Sequence, residues 1–246
     1  MCSGQVVLMI YLSRNDLHEL SLKLLYHYYK TSELPFRPLD IDNFAQQYMN
    51  LTVRYEDLTC KNRTVLGCIA YENTVLVLDP NDPNTHFPIN ARTVFLNKSL
   101  KKRDQKGRRN FTLAHECAHN AVHSIYPNAW PEFQCREPGR KYSLRELITG
   151  DDWCEWQANT LASELLMPAH LVFGLMEREG YCGKVKVYPK DRLLFDERRL
   201  IRNMTDFLGV SKSALLIRLK QLNLLDYRSW DEYLEEEEFD SLLGGY

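Results

Sequence analysis

A chain of 246 residues, 44% hydrophobic, with a formal net charge of −2, has enough apolar content for one sizeable core with appendages or for two small domains. That charge balance gives no global pull toward nucleic acid or a membrane surface. Seven cysteines, an odd number with no C-x-x-C pair, argue against a disulfide framework and against a thiolate zinc knot, so a reducing cytoplasm is the expected compartment.

From the N-terminus, the apolar stretch from Val6 to Leu12 is too short to span a bilayer and follows no basic segment, so neither an export signal nor a membrane anchor is expected. Residues 15–30 place Leu17, Leu20, Leu24 and His27 or Tyr28 on one side and read as a helix. Pro35 and Pro38 then mark a boundary that sets off residues 1–35 as an N-terminal helical segment. Residues 41–48 suggest a second helix. Short β-rich runs follow at 51–55, 65–71, 74–78 and 92–96, with Glu72-Asn73 as a hairpin turn and 80–90 as a loop. An α+β class follows: a small, mostly antiparallel sheet packed with the two helices described next, all within a core of residues 36–170. An edge of that sheet could hold an extended peptide by main-chain pairing.

Lys98, Lys101, Lys102, Arg103, Lys106, Arg108 and Arg109 crowd the approach to the third helix. Most such runs are solvated faces. The functional readings are that this one steers an acidic or nucleic-acid-bound substrate, or receives the acidic tail.

The helix that follows carries His115-Glu116-Cys117-Ala118-His119, an H-E-x-x-H pattern. Four residues advance a helix by about 6 Å and about 400°, so the two imidazoles project one turn apart from one face and can share a metal ion. Glu116, beside the first ligand, can reach a water there without occupying the coordination sphere, which is the arrangement of a peptide-hydrolysing zinc site. Asn110 reads as the N-cap and Pro127 ends the pattern. Ala114, Ala118, Ala121, Val122 and Ile125 form an apolar stripe more than about 90° from the histidines, which are therefore expected at the edge of a cleft, away from the core. The same pattern could also sit on an exposed helix with two solvated histidines.

A catalytic zinc needs a third protein ligand. His123 lies about 12 Å along the helix from His115, too far for three imidazoles to converge. The three-histidine pattern would need Gly at 122 and His at 125, where the chain has Val122 and Ile125. The better candidate is Glu155, on a helix running from about Asp151 to Met167 and stopped by Pro168. Asn159, on the same face, can orient a ligand histidine through its second ring nitrogen. Asp152 followed by Glu155 also reads as a capping box, but with the upstream histidines the ligand reading is preferred.

Residues 171–225 form a C-terminal helical region in which 205–208, Gly209-Val210 and 211–221 look like a helix-turn-helix with Ser211 capping the second helix. Lys212, Arg218 and Lys220 are a thin basic supply for a recognition helix, which argues against direct DNA binding. An acidic tail, 226–246, carries Asp231, Glu232, Glu235, Glu236, Glu237, Glu238 and Asp240.

The segments 109–119 and 155–168 resemble, in order, two hallmarks of the ImmA/IrrE family of metallo-endopeptidases, and 207–222 resembles the family's C-terminal end. The likeness spans about Pro38 to Leu225. It implies His115, His119 and Glu155 as metal ligands, Glu116 as the catalytic carboxylate and Zn2+ as the cofactor, with Mn2+ as the other candidate. The chain departs from the commonest pattern at Gln157, where many relatives carry a second glutamate, and at Cys117, where leucine is usual. Gln157 strengthens the choice of Glu155, because one carboxylate remains in that turn. The resemblance further implies proteolysis of a specific intracellular protein, a helix-turn-helix repressor of a mobile element or stress-response gene. His123, Tyr126 and Arg140 are candidate donors for the reaction's oxyanion. The rival expectation is a non-catalytic metal-binding regulator that binds DNA or a repressor.

Overall fold

The computed structural model describes residues 11–60, 63–77, 86–125, 133–136 and 150–242. The start of the apolar N-terminal stretch, part of the 80–90 loop, Tyr126, Pro127 and Arg140 lie outside them, as does the side chain of His123. The chain divides into two compact units, Met1–Pro35 with Leu39–Leu166, and Phe36–Pro38 with Met167–Tyr246. No helix among the described residues is long and apolar enough to cross a membrane. Cys68, Cys117, Cys154 and Cys182 form no disulfide.

The first unit opens with α1 (Arg14–Tyr29), started by a capping box in which Ser13 and Asp16 satisfy each other's backbone N–H. Its buried stripe is Leu17, Ser21 and Leu25, with Leu20 and Leu24 flanking it half-buried, so the helix is rotated slightly from the expected leucine face. Next, α2 (Ile41–Asn43), capped by Asp40, passes directly into a π turn over Phe44–Tyr48.

Then come β1 (Thr52–Glu56), β2 (Thr59–Cys60), β3 (Arg63–Thr64), β4 (Gly67–Ala70), β5 (Thr74–Val77), β6 (His86–Ile89), β7 (Thr93–Asn97), α3 (Lys106–Ile125), β8 (Phe133–Arg136) and α4 (Gly150–Leu166). The main sheet has the order β1-β7-β4-β8. β1 runs parallel to β7 with Thr52 opposite Thr93. β4 is antiparallel to β7, with Gly67 opposite Leu96, and to β8, with Gly67 opposite Arg136. β2/β3 and β5/β6 are separate antiparallel pairs.

Two local expectations give way here. Glu72-Asn73 is not a hairpin turn, because β4 pairs with β7 and β8 while β5 pairs with β6; Asn73 instead accepts a hydrogen bond from Ala91 N at 2.8 Å. The expected 80–90 loop contains strand β6. The α+β class holds, with a small mixed sheet beside the long helices.

β4 and β7 are buried throughout, so both of their faces are covered. On one face Cys68, Ala70 and Phe95 pack with Leu58, Val65 and Ile89. The other is turned to α3, for a Cβ built on Gly67 would stand 2.6 Å from Thr112 Cγ2. α3 begins at Lys106, so Asn110 is a helical residue and not the cap. Short 3-10 turns at Lys98–Lys101 and Arg103–Gln105 lead straight into it, and lysine and arginine at its start are good helix formers. Positive charge at a helix N-terminus is unfavourable, and Asp42 offsets it by pairing with the Arg109 guanidinium, which also donates to Tyr55 Oη at 2.8 Å. α1 lies along α4: Leu12 N donates to Gln157 Oε1 at 2.8 Å, and His18 Nδ1 lies 3.1 Å from Glu164 Oε2.

The second unit contains α5 (Ala169–Arg178), β9 (Val185–Val187), α6 (Phe195–Leu208), α7 (Lys212–Gln221), β10 (Leu225–Tyr227) and α8 (Trp230–Leu242), with β9 and β10 paired in parallel. α6 ends at Gly209 in the left-handed conformation, φ 64°, and Ser211 caps α7 by accepting from Ala214 N. α6 and α7 thus form a pair of helices joined by the short Gly209-Val210 turn. Its cations are engaged locally: Arg218 is buried and donates from Nε to Met167 O at 2.9 Å, and Lys212 Nζ donates to Asp191 O at 2.9 Å. In the acidic tail Glu232 pairs with Arg228 and Glu236 with Lys186, all within this unit.

Candidate metal centre

The helical period brings His115 and His119 together on α3, as spacing requires, but they are not at a cleft edge. Thr112 through Val122 are all buried, and both histidines are fully buried, because α4 covers one side of α3 while β4 and β7 cover another. The imidazole planes stand at 85° with ring centroids 4.5 Å apart, and the two Nε2 atoms are 2.9 Å apart. Glu155, from the first turns of α4, completes a triangle: Oε1 lies 3.2 Å from His119 Nε2 and Oε2 3.3 Å from His115 Nε2. α4 begins at Gly150, which places Asp152 inside its first turn, and the Glu155 carboxylate points at the histidines and away from its own helix start.

This triangle fits a metal. A tetrahedral ion with bonds of about 2.0 Å has ligand atoms about 3.3 Å apart; here the two Nε2 atoms are 2.9 Å apart, each lies 3.2 or 3.3 Å from a different oxygen of the Glu155 carboxylate, and one ligand atom from each residue falls within 4.8 Å of the others. Among the described residues His115, His119 and Glu155 are the group of three whose ligand atoms lie close enough to share an ion. Asn159, one turn beyond Glu155, accepts from His115 Nδ1 at 3.1 Å; that bond puts the ring proton on Nδ1 and leaves the Nε2 lone pair directed into the triangle. Burial raises the Glu155 carboxyl pKa, but His115 by charge and hydrogen bond, and then His119, outweigh it and bring it below the ordinary carboxylate range. Burial, and then the charge of Glu116, push the Cys117 thiol up, so it offers no thiolate. Gln157 points elsewhere, its Oε1 engaged by Leu12 N.

Glu116 is fully buried, with its carboxylate against the sheet: a Cβ at Gly67 would come within 2.9 Å of Glu116 Oε1. Gly67 is therefore a residue of the site that motif reading passed over. A glycine inside a strand is a known sign of close approach, and that signal was available in the sequence.

A buried histidine pair facing a carboxylate from a second helix, beside a small mixed sheet, is a donor set that could hold a metal ion. The profile of peptidase family M78, the IrrE N-terminal-like domain, matches residues 46–220, and the chain belongs to that family. No curated protein matches the chain. A solved structure of a Mycobacterium tuberculosis transcriptional regulator is similar at a TM-score of 0.41 and 14% identity, over 84% of this chain and 48% of that one. The chain thus spans about half the length of that structure.

Proposed function

We propose that the protein is a metal-dependent endopeptidase in which His115, His119 and Glu155 hold the ion and Glu116 is the general base. The observation that carries this reading is the convergence of two Nε2 atoms and one carboxylate to within 3.3 Å of one another, with a second buried carboxylate on the same helix turn. The nitrogen and oxygen donor set suits zinc, with manganese as the second candidate. When bound, such an ion supplies Lewis acidity toward a water and toward the scissile carbonyl. Asn159 keeps His115 in the tautomer that can act as a ligand. Glu116 takes a proton from the water as its oxygen adds to the carbonyl carbon, then delivers that proton to the nitrogen as the C–N bond breaks. The buried setting strengthens each of these polar contacts.

The substrate class follows from the family resemblance: a specific intracellular protein, and within that class a helix-turn-helix repressor of a mobile element or stress-response gene. The rival reading, a regulator that uses metal without chemistry, gives Glu116 no role. Two variants separate them. Glu116→Gln should keep its bound metal and lower cleavage of co-expressed helix-turn-helix repressors by about 10² to 10⁴-fold. Glu155→Ala should lose metal by elemental mass spectrometry. Retained cleavage in the first would remove Glu116 as the base, and equal metal in the second would remove Glu155 as a ligand.

A further inference from the structure

The cations ahead of α3 have no part in the metal centre, and their pairing is uneven. Between Lys98 and Arg109 seven of them stand against one acid, Asp104. Two have carboxylate partners: Arg109 pairs with Asp42, and Lys98 Nζ lies 3.2 Å from Glu56, which also takes Arg54 at 3.3 Å. Lys101 stands 4.8 Å over the ring of Tyr55, the tyrosine whose hydroxyl accepts from Arg109. Lys102, Arg103, Lys106 and Arg108 are exposed and enter no ion pair among the described residues. The acids beside them are already engaged: Asp42 and Glu56 as above, and Asp104 as acceptor from Gln105 Nε2 at 3.0 Å.

The two 3-10 turns that carry this run pack against each other and against α3, so the charges are crowded in space as well as in sequence. Like charges so placed repel, and the N-terminal end of α3 adds its own partial positive charge. An anionic ligand relieves both at once. We propose that Lys101, Lys102, Arg103, Lys106 and Arg108 form a docking surface for a short acidic segment of the protein substrate. This rests on the peptidase reading above, because α3 carries both parts: Lys106 opens the helix and His115 follows nine residues on, about 14 Å along its axis. An extended peptide covers that distance in about four residues, so the acidic residues of the substrate stand at least about that far from the bond cleaved. Nucleic acid fits less well. The chain outside this run is net negative, and a long polyanion extends over it, whereas a short acidic stretch ends with the patch. The chain's own acidic tail is a poorer occupant too, since Glu232 pairs with Arg228 and Glu236 with Lys186.

The test is fluorescence anisotropy of fluorescein-labelled dodecaglutamate with the full chain, at about 0.1 M salt, where exposed charges more than about 10 Å apart are screened. Wild type should bind the peptide saturably, and more weakly as salt rises. Lys102→Glu/Arg103→Glu/Lys106→Glu should weaken binding at least about tenfold, since three attractions become repulsions. Arg198→Glu/Arg199→Glu/Arg202→Glu makes the same change of net charge at exposed positions of α6 and should stay within about twofold of wild type. Unchanged affinity in the first variant overturns the proposal, and so does equal loss in both, which is an effect of net charge. Wild type that ignores the peptide overturns it too. Tighter binding of a thymidine dodecanucleotide, lost in the same variant, overturns the protein ligand in favour of nucleic acid. If circular dichroism shows the first variant unfolded, Lys102→Gln/Arg103→Gln/Lys106→Gln decides by the same criteria. Failure of the underlying peptidase reading shows separately, as wild type that binds the peptide but holds no metal.

Discussion

The helix pairs α3/α4 and α6/α7 both bury polar side chains, but for different ends. Between α3 and α4 the side-chain atoms of His115, His119 and Glu155 turn toward one another, with Asn159 behind them, in helix interiors where the backbone needs no help. In α6/α7 each polar group has a neutral or backbone partner beside it: Ser211 caps α7, the buried Arg218 donates to the Met167 carbonyl, and the buried Glu197 accepts from the Tyr181 hydroxyl at 3.0 Å. Burying ionisable groups costs several kcal/mol unless something compensates. Carbonyl, N–H and hydroxyl partners compensate in the second pair. In the first, the candidate compensation is an ion, and convergence of side chains on each other is what distinguishes a site for chemistry from a device for stability.

The strongest way to break this comparison is to disturb the first pair from the sheet without touching a candidate ligand. Gly67→Ala puts a methyl 2.6 Å from Thr112 Cγ2 and 2.9 Å from Glu116 Oε1, and one of them must move. Thr112 is a stiff β-branched residue whose hydroxyl is bonded to Arg108 O, so the carboxylate is the part that yields. The expected result is a drop in repressor cleavage of about 10²-fold, the scale of a 1 Å misplacement, with bound metal unchanged. Wild-type cleavage would show that Glu116 does not need its place against β4.

Asn159→Ala sharpens the comparison from within α4. It removes the acceptor for His115 Nδ1, freeing the ring to turn or change tautomer. Metal affinity, measured by competition with a chelating dye, should weaken by about 10 to 100-fold. An unchanged affinity would mean that packing alone holds the imidazole.

How much of this was legible in the sequence depended on whether the controlling interaction was local. The helix period alone carried His115 and His119 to one face, and Pro168 ended α4 close to where it stops, at Leu166. The Ser211 cap and the Gly209 stop were equally local. Non-local pairing was not readable. Nothing near Glu72-Asn73 says that β5 must pair with β6, and nothing in 51–55 says that β1 will lie parallel to β7. The start of α3 was misplaced because Asn110 has cap chemistry while the 3-10 turns ahead of it make a cap unnecessary. The burial of the histidines depended on which elements cover α3, and the glycine at position 67 becomes meaningful once α3 is known to lie against it.

The smallest expected effect tests the other half of the comparison. Ser211→Ala removes the hydroxyl that accepts from Ala214 N at 3.2 Å and leaves an unpaired donor at the start of α7. Loss of such a cap costs about 1 kcal/mol, which urea unfolding followed by circular dichroism can resolve as a lower midpoint at unchanged slope. Bound metal per chain and cleavage should not change, because Ser211 serves only the backbone of its own helix. If metal fell along with stability, the Ser211 cap could no longer be treated as a device of α7 alone.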